Sequence, residues 1–315
     1  MSLSASTTDS PISRSHRLIE WIRTARRGYS NYRRDREETR RLKSSPQLSF
    51  APPGHYYSPL PDLEALPKSV NDDRCLGIQL REEEQCELLE QLSTFYDDLP
   101  FSNQPGKATR YYYDNRFFGH SDAIVLTCMM RKYTPGTVIE IGSGFSSAVM
   151  LDVNGLFFDN GINLTFVEPY PERLHSLVKP TDRYEIHQRG VQDVSLDVFS
   201  GLGDGDILFI DSSHVSKYGS DVNDIFFRIL PSLAKGVIVH VHDISWPFEY
   251  PEAWVRQGRA WNESYLLRAF LQHNNAFEIL YFNAFMAHRH RDLIDRTMPL
   301  MLHETGGSIW LRRSA

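Results

Sequence analysis

Cysteine is scarce in this chain. Only three occur in 315 residues, and they form neither a Cys-x-x-Cys pair nor a Cys/His spacing typical of a metal site. No apolar run approaches the ~20 residues that a membrane helix needs, and no apolar N-terminal segment is typical of a signal peptide. The sequence therefore predicts reduced thiols in a soluble, cytoplasmic protein without a transmembrane segment.

A surplus of positive charge is absent from most of the chain. Residues 1–45 carry 11 Lys and Arg against 5 Asp and Glu, whereas the remainder carries 23 against 35. Because phosphate affinity needs a basic surface, this acidic body argues against a nucleic-acid-binding core. Apolar residues make up 41% and charged residues 23%, which is typical of a globular protein that buries a core.

The first 110 residues are interpreted as an extension rather than a second domain. The arginine-rich segment 14–43 predicts a helix with a basic face, which either docks on an anionic membrane or a partner, or folds back onto the acidic body. Six prolines between residues 46 and 67 favour an extended arm, which could reach a second subunit in a homodimer. An amphipathic helix follows. We therefore divide the chain into 1–110, the extension, and 111–315, one domain.

Strands and helices alternate from residue 137 onward. The predicted strands are "TVIEI", "LTFVE", "YEIHQ", "DILFID" and "GVIVHVHDI", followed by "FEILYFN" and "GSIWLRR" near the C-terminus. Most are nearly continuous in apolar residues, as expected where helices cover both faces of a parallel sheet. The pattern predicts an α/β fold: a doubly wound, mainly parallel, seven-stranded sheet with a helical and extended N-terminal extension.

The turn after the first strand, "EIGSGFSS", is typical of a nucleotide-binding loop. Gly142 and Gly144 let the backbone turn tightly beside a ligand, and the following helix offers unpaired N–H groups. The dinucleotide fingerprint requires a third glycine where this chain has Ser147. Glu140 would repel a pyrophosphate but would suit an amino group. The turn therefore predicts a ligand with adenosine at one end and a cation near the glycines.

Polar residues follow the second and third strands. Glu168 comes directly after a buried apolar run, 26 residues beyond Gly142, where a carboxylate accepts hydrogen bonds from ribose hydroxyls. After the third strand, Gln192 and Asp193 are candidates for contact with the adenine edge. These residues could therefore contact the ribose and then the adenine of a nucleotide that lies across the strand ends.

The fourth and fifth strands end in acids and histidines. Asp211 ends the fourth strand with His214 close behind, and His242 and Asp243 end the fifth. Adjacent parallel strands lie about 4.8 Å apart, so these side chains can converge. Such a set suits a divalent cation such as Mg²⁺ or Mn²⁺. Without a cation, His214 or His242 could act as a general base, and we expect the preceding His240 to be a core histidine.

Three motifs in order, "EIGSGFSS", "FVEPY" and "DILFIDSSH", resemble those of the class I S-adenosylmethionine-dependent methyltransferases. The resemblance covers roughly residues 115–312. It implies S-adenosylmethionine as the cofactor. The methionine end would lie near the first motif and near "FGHSDA", which contains Asp122, and the ribose would lie at the second motif, "FVEPY". The implied cofactor-binding residues are Ser121, Glu140, Gly142, Ser143, Gly144, Glu168, Gln192, Asp193 and Asp211.

The two later strand ends are similar to those of the metal-dependent O-methyltransferases of the catechol and macrocin types. That group takes one aspartate from the fourth strand and an Asp-Asp or Asp-Asn pair from the fifth. Asp211 matches the aspartate of the fourth strand. His242 and Asp243 occupy the positions of the fifth-strand pair, with histidine in place of the first acid. The resemblance implies a metal site of Asp211, His242 and Asp243, where Mg²⁺ or another divalent cation would lower the pKa of a substrate hydroxyl. The implied catalytic residues are Asp211, His214 and His242.

The segment "SWPFEYPEAW" supplies four aromatic residues after the fifth strand. They form either a wall for a sugar or a planar phenol, or ordinary packing of an insertion. The leading hypothesis is O-methylation of a small molecule or sugar, with Asp- and His-assisted deprotonation of the acceptor. An NAD(P)-dependent oxidoreductase is disfavoured by Glu140 and Ser147 and needs a cleft for two nucleotides. A non-catalytic binding module is the third possibility and predicts Asp211 and His242 in internal salt bridges.

Overall fold

The computed structural model of the protein describes residues 36–41, 44–46, 50–67 and 73–315. The chain forms two compact units, Met1–Leu66 and Pro67–Ala315. Most of the predicted basic helix lies outside the described residues, and its residues 36–41 are helical. The domain boundary proposed at residue 110 stays a prediction.

The first unit contains the proline-rich segment. Residues 50–67 form turns and bends, without a helix or strand in that range. Gly54 has a φ of +84°, a conformation that glycine adopts at little cost, and its N–H donates to the carbonyl of Leu60 at 3.0 Å. The segment therefore turns back on itself, in contrast to the extended arm that its prolines predict.

A seven-stranded sheet forms the centre of the second unit. Its strands are β1 (Thr137–Ile141), β2 (Asn163–Val167), β3 (Glu185–His187), β4 (Ile207–Ile210), β5 (Ile238–Val241), β6 (Phe277–Phe282) and β7 (Ile309–Arg313). Their order is β3-β2-β1-β4-β5-β7-β6. Strand β7 is antiparallel to β5 and β6, and the other pairs are parallel. The predicted mainly parallel sheet of seven strands is confirmed.

Helices connect and cover these strands. They are α1 (Glu82–Ser93), α2 (His120–Tyr133), α3 (Phe145–Phe157), α4 (Glu172–Leu177), α5 (Leu196–Ser200), α6 (Asp221–Asp224), α7 (Leu230–Ser232), α8 (Glu252–Arg256), α9 (Glu263–Leu271), α10 (Asn283–Arg289) and α11 (Arg291–Thr297). Strands β4 and β5 are buried along their whole length, which explains their continuous apolar sequences. Across the described ranges, every helix is too short or too polar to span a bilayer.

Helix α1 has the amphipathic character that its sequence predicts. Three glutamates occupy its first turn, where negative charge is favourable at a helix N-terminus. Leu88, Leu89 and Leu92 are buried. The side-chain oxygen of Gln85 accepts a hydrogen bond from the N–H of Phe282 at 2.8 Å, so α1 satisfies a backbone donor of the edge strand β6.

Strand register brings three strand ends to one edge of the sheet. Ile141 of β1 is paired with Ile210 of β4, and Ile210 with Val241 of β5. The ladder continues one residue further: the N–H of Asp211 donates to the carbonyl of Ile141 at 2.8 Å. The N–H of His242 donates to the carbonyl of Ile210 at 2.9 Å. These ends meet where the strand order reverses between β1 and β4, the position at which open α/β sheets bind ligands.

Candidate active site

A cavity of about 910 Å³ opens at this edge of the sheet. Its floor is lined by Asp211 after β4, His242 and Asp243 after β5, Asp122 of α2, and Glu304. His242 and Asp122 are only 5% and 4% exposed. The predicted convergence of Asp211, His242 and Asp243 is therefore present, and this side of the cavity is acidic.

His214 lies beside these carboxylates and is held by α9. Its Nδ1 is 2.9 Å from Oε2 of Glu263, the first residue of that helix. Its Nε2 is 3.5 Å from both Oδ1 of Asp211 and Oδ2 of Asp243. Glu263 is fully buried and also accepts a hydrogen bond from the Ser212 hydroxyl at 2.9 Å. The imidazole thus joins a buried glutamate to two carboxylates of the cavity.

The backbone at this position is held in an unusual conformation. His214 and Asp243 have φ angles of 59° and 57°, in the left-handed region that costs a non-glycine residue on the order of 1 kcal/mol. The carbonyl of His214 accepts hydrogen bonds from the N–H groups of Asn262 and Glu263, at 3.0 and 3.2 Å. The start of α9 therefore fixes both the main chain and the ring of His214.

The surrounding carboxylates keep His214 charged. Burial by itself lowers the pKa of an imidazole, but the hydrogen bonds to Asp211 and Glu263 outweigh burial and raise the pKa of His214 to about 10. Burial would raise the pKa of Asp211, but its hydrogen bond with His214 outweighs burial and lowers the pKa. At neutral pH His214 is an imidazolium, which disfavours its predicted role as a general base.

Of His214, His240 and His242, it is His242 that lines the cavity. Its ring stacks on that of His240, with centroids 5.7 Å apart, and its Nε2 lies 3.7 Å from Oδ1 of Asp243. Its Nδ1 has no hydrogen-bond partner within the described part of the chain. Burial lowers the pKa of this imidazole, but the charges of Asp243, Asp211 and Asp122 outweigh burial and raise the pKa above 6.5.

His240 is a core histidine, as predicted. It is fully buried, stacks on Phe209 with ring centroids 3.7 Å apart, and its Nε2 lies 2.8 Å from the hydroxyl oxygen of Ser308. Burial lowers the pKa of His240 well below its ordinary value. A neutral ring inside the sheet supports the neighbouring His242 by stacking rather than by charge.

The aromatic loop after β5 divides between core and cavity. Phe248 is fully buried and Tyr250 is 6% exposed, whereas Trp246 and Trp254 line the cavity. Two of the four residues therefore pack in the core and two line the cavity, and a role of the latter as an acceptor wall stays a prediction.

The start of α2 contributes a carboxylate to the cavity. Asp122 Oδ1 accepts hydrogen bonds from the hydroxyl of Ser308 at 2.6 Å and from the N–H of Gly307 at 3.1 Å. Burial raises the pKa of Asp122. Ser121 is turned away, and its hydroxyl oxygen accepts a hydrogen bond from the Asn283 amide at 3.1 Å. Of the two predicted residues, Asp122 lines the cavity and Ser121 is buried behind it.

The glycine turn after β1 has no room for a side chain at its first position. Gly142 has a φ of +88°, and a Cβ atom there would lie 2.2 Å from the carbonyl oxygen of Asp211. A Cβ atom at Gly144 would lie 3.1 Å from Cδ of Arg173. The guanidinium of Arg173 lies 3.9 Å from the ring centre of Phe117, and both residues line the cavity. The turn therefore lies beside Arg173, a residue that lines the cavity, and is closed on its other side by the end of β4.

Glu140 lies beneath this turn and is fully buried. Its two carboxyl oxygens accept hydrogen bonds from the hydroxyls of Ser146 and Ser147, and Ser147 in turn accepts one from the N–H of Gly144 at 2.9 Å. Burial outweighs these bonds and raises the pKa of Glu140 to about 8. Ser147, where the dinucleotide fingerprint fails, thus ties the turn to β1. A contact of Glu140 with the cofactor stays a prediction.

The predicted ribose and adenine residues lie at the ends of β2 and β3. Glu168 is half-buried; its Oε1 accepts a hydrogen bond from the N–H of Tyr170 at 2.8 Å, and its Oε2 is 3.4 Å from the hydroxyl oxygen of Ser143. Gln192 and Asp193 are exposed in a 3₁₀ turn. These side chains lie outside the acidic cavity, along the strand ends next to it.

The predicted metal site does not fit the side chains as the structure places them. Within the described ranges, no group of three or more His, Cys, Asp or Glu side chains is arranged to hold an ion. An imidazolium N–H of His214 already faces both Asp211 and Asp243, and His242 lies 3.7 Å from Asp243. Asp211 is thus paired with His214 and at the same time lines an open cavity with His242. The non-catalytic hypothesis, which predicts both residues in internal salt bridges, is not supported by this arrangement.

Sequence reasoning missed three residues of this region. Glu263 and Trp261 contact His214, the latter with ring centroids 4.4 Å apart, and Arg259 lines the cavity. They follow Asp211 by about 50 residues, in "RAWNESYLL". An Asn-Glu pair before an apolar run is an ordinary helix-start signal, which predicts α9 but not that its first carboxylate points inward.

Comparisons with known proteins agree with this architecture. Residues 139–244 match a family described as a methyltransferase domain. An uncharacterized protein of Archaeoglobus fulgidus is 35% identical over 161 residues, which are 48% of this chain and 73% of that protein.

Two solved structures are among those with a similar fold. The methyltransferase PaMTH1 of Podospora anserina, bound to S-adenosylhomocysteine, is 14% identical and covers 61% of this chain and 78% of its own, with a TM-score of 0.41. The O-methyltransferase TomG of Streptomyces achromogenes, in complex with S-adenosylmethionine, is 14% identical and covers 78% of this chain and 100% of its own, with a TM-score of 0.38.

The matched domain spans β1, β2, β4 and β5, together with the glycine turn and the acids that follow the strands. The chain therefore belongs to the methyltransferase family that this domain describes. The acidic floor of the cavity lies beside the glycine turn, at the edge where open α/β sheets bind ligands.

Proposed function

We propose that the enzyme transfers the methyl group of S-adenosylmethionine to an oxygen of a small molecule or sugar. The observation that carries this proposal is the position of His242, a buried histidine with an unpartnered ring nitrogen, on the floor of the 910 Å³ cavity. It lies next to Asp243 and one strand away from Asp211, at the same edge as the glycine turn.

We place the cofactor along the ends of β1 and β2. The methionine end lies over the turn at Gly142, Ser143 and Gly144, where glycine lets a ligand approach the main chain. Glu168 accepts hydrogen bonds from the ribose hydroxyls, and the adenine lies toward Gln192 and Asp193. In this placement the sulfonium comes next to Asp211, whose negative charge favours it.

Methyl transfer asks for alignment and for removal of one proton. The acceptor oxygen bonds to the methyl carbon as the carbon–sulfur bond breaks, and S-adenosylhomocysteine leaves without the sulfonium charge. When the ring of His242 is unprotonated, one of its nitrogens takes the acceptor proton and passes it to solvent. His214 stays protonated and holds Asp211 and Asp243 in position, because its Nε2 faces both carboxylates.

The acceptor lies against the aromatic side of the cavity. Trp246 and Trp254 line that side, and indole faces bind planar phenols and the apolar faces of sugars. The cavity places acids and a histidine next to two indole rings. This arrangement favours a hydroxylated ring over an amine as the acceptor, because a hydroxyl needs a base to remove its proton.

The test is the substitution His242→Asn, assayed by S-adenosylhomocysteine formation with matched phenol, sugar and amine acceptors. We expect kcat to fall about 10²- to 10⁴-fold, with unchanged affinity for S-adenosylhomocysteine by calorimetry. His290→Asn, a histidine paired with Glu82 outside the cavity, is the matched control. Full activity of His242→Asn, or a methylated nitrogen in the product, would refute the proposal.

A further inference from the structure

The rim of the cavity is basic, in contrast to its acidic floor. Arg116, Arg173 and Arg259 line it, and all three are exposed. Across the described ranges, none of these arginines forms an ion pair with a carboxylate. Because the acids of α2, β4 and β5 lie at the sheet edge and the arginines lie at exposed positions, the cavity suits a ligand with hydroxyl or cationic groups at one end and an anionic group at the other.

Arg259 is the most firmly placed of these arginines. Its guanidinium lies 4.6 Å from the ring centre of Trp254 and 4.7 Å from that of Trp261, and the two indoles meet edge to face with centroids 5.2 Å apart. Its Nε donates to the Gln257 side chain at 3.1 Å, and its backbone N–H donates to the carbonyl of Trp254 at 3.2 Å. Two aromatic faces therefore orient a guanidinium whose terminal nitrogens are left for a ligand.

A neighbouring arginine shows the opposite arrangement. Arg256, at the end of α8, pairs with Glu252 one turn earlier, with Nη2 2.6 Å from the carboxylate, and it does not line the cavity. The two arginines lie three residues apart in the chain. Among the residues that the structure describes, Arg256 is paired with a carboxylate, whereas Arg259 is not.

Trp261 connects Arg259 to the acidic floor. The indole that contacts the guanidinium also contacts His214, with ring centroids 4.4 Å apart, and His214 faces Asp211 and Asp243. Because one indole touches both groups, the arginine and the floor of the cavity lie within the span of a single ring-sized acceptor.

We propose that Arg259 binds a carboxylate or phosphate of the methyl acceptor, so that the substrate is a hydroxylated ring or sugar with an anionic group one ring away from the reacting hydroxyl. This inference rests on the proposed function of the same cavity. Arginine presents planar, paired donors to either anion, and the Trp254 and Trp261 rings flank the ring of the acceptor.

The test compares matched acceptors by calorimetry on the enzyme saturated with S-adenosylhomocysteine. The first pair is 3,4-dihydroxybenzoate against catechol, and the second is glucose 6-phosphate against glucose. In at least one pair we expect the anionic member to bind about tenfold or more tightly, as charge-assisted hydrogen bonds imply. Arg259→Ala should remove this preference and leave the neutral member's affinity within about twofold, whereas the control Arg256→Ala should retain it.

A preference within the first pair indicates that Arg259 binds a carboxylate, and a preference within the second pair indicates that it binds a phosphate. Equal affinities within both pairs, absence of binding by all four compounds, or a preference that survives Arg259→Ala would each overturn the inference. Binding is measured apart from turnover. A dihydroxybenzoate that binds through Arg259 but is not methylated with S-adenosylmethionine would therefore count against the proposed function and leave the anion site supported.

Discussion

Two glutamates near the site are equally buried and differ in their partners. Glu140 and Glu263 both have no exposed surface. Glu140 accepts hydrogen bonds from two neutral serine hydroxyls, whereas Glu263 accepts one from the ring of His214. With neutral partners, burial raises the pKa of Glu140 to about 8, and the carboxyl is mostly uncharged at pH 7. Burial alone therefore does not decide what a carboxyl group does.

The difference assigns the two glutamates to separate tasks. A neutral carboxyl between two hydroxyls is a structural link, and here it ties the glycine turn to β1. A carboxylate beside an imidazolium keeps a cation inside the protein, and here the cation holds two carboxylates of the cavity. The three predictions below test that contrast.

The largest expected effect is on the Glu263 side. Glu263→Ala leaves the buried His214 without one of the partners that hold its charge, and removing one member of a buried pair costs about 3–5 kcal/mol of unfolding free energy. Urea unfolding at pH 7 measures it. Glu252→Ala, an exposed glutamate paired with Arg256, serves as the control and should cost less than about 1 kcal/mol. A loss below 1 kcal/mol in Glu263→Ala would remove the distinction between the two glutamates.

A smaller effect is expected at the turn that Glu140 supports. Gly142→Ala combines a φ of +88° with a Cβ atom 2.2 Å from the Asp211 carbonyl oxygen, and we expect a loss of about 2–4 kcal/mol. Gly258→Ala is the matched control, because Gly258 has a φ of +81° and nothing within 4 Å of the added atom; it should lose about 1 kcal/mol. Equal losses of unfolding free energy in both variants would show that the contact between the added Cβ atom and the Asp211 carbonyl costs nothing.

The finest distinction is in the pH dependence of stability. Both groups have folded-state pKa values above their ordinary ones, so each contributes stability that is lost as pH rises. The loss from Glu140 spans pH 4.5 to about 8, and that from His214 spans pH 6.5 to about 10. Glu140→Gln should abolish the first decline and cost about 1 kcal/mol at pH 5. His214→Asn should abolish the second. A Glu140→Gln protein with an unchanged profile between pH 5 and 7 would contradict a neutral Glu140.

The strand ends show how far sequence reasoning reaches. The apolar runs and the residues that follow them predicted the seven strands, the glycine turn, and the shared edge of Asp211, His242 and Asp243. These predictions are correct because alternating strands and helices form a parallel sheet, and the ends of parallel strands meet at one edge of that sheet. The metal site was inferred from the same residues and does not fit, because His214 faces the two carboxylates.

The sequence by itself determined the sheet and which acids meet at its edge, since each is encoded within a few consecutive residues. Only the tertiary structure decided the charges. Whether Glu140 is neutral, His214 cationic and Arg259 unpaired depends on burial and on partners such as Glu263 and Trp261. Those partners are brought from α9 and from the loop before it by chain folding. Electrostatic energies depend on distance and desolvation in three dimensions, and no spacing along the chain specifies either.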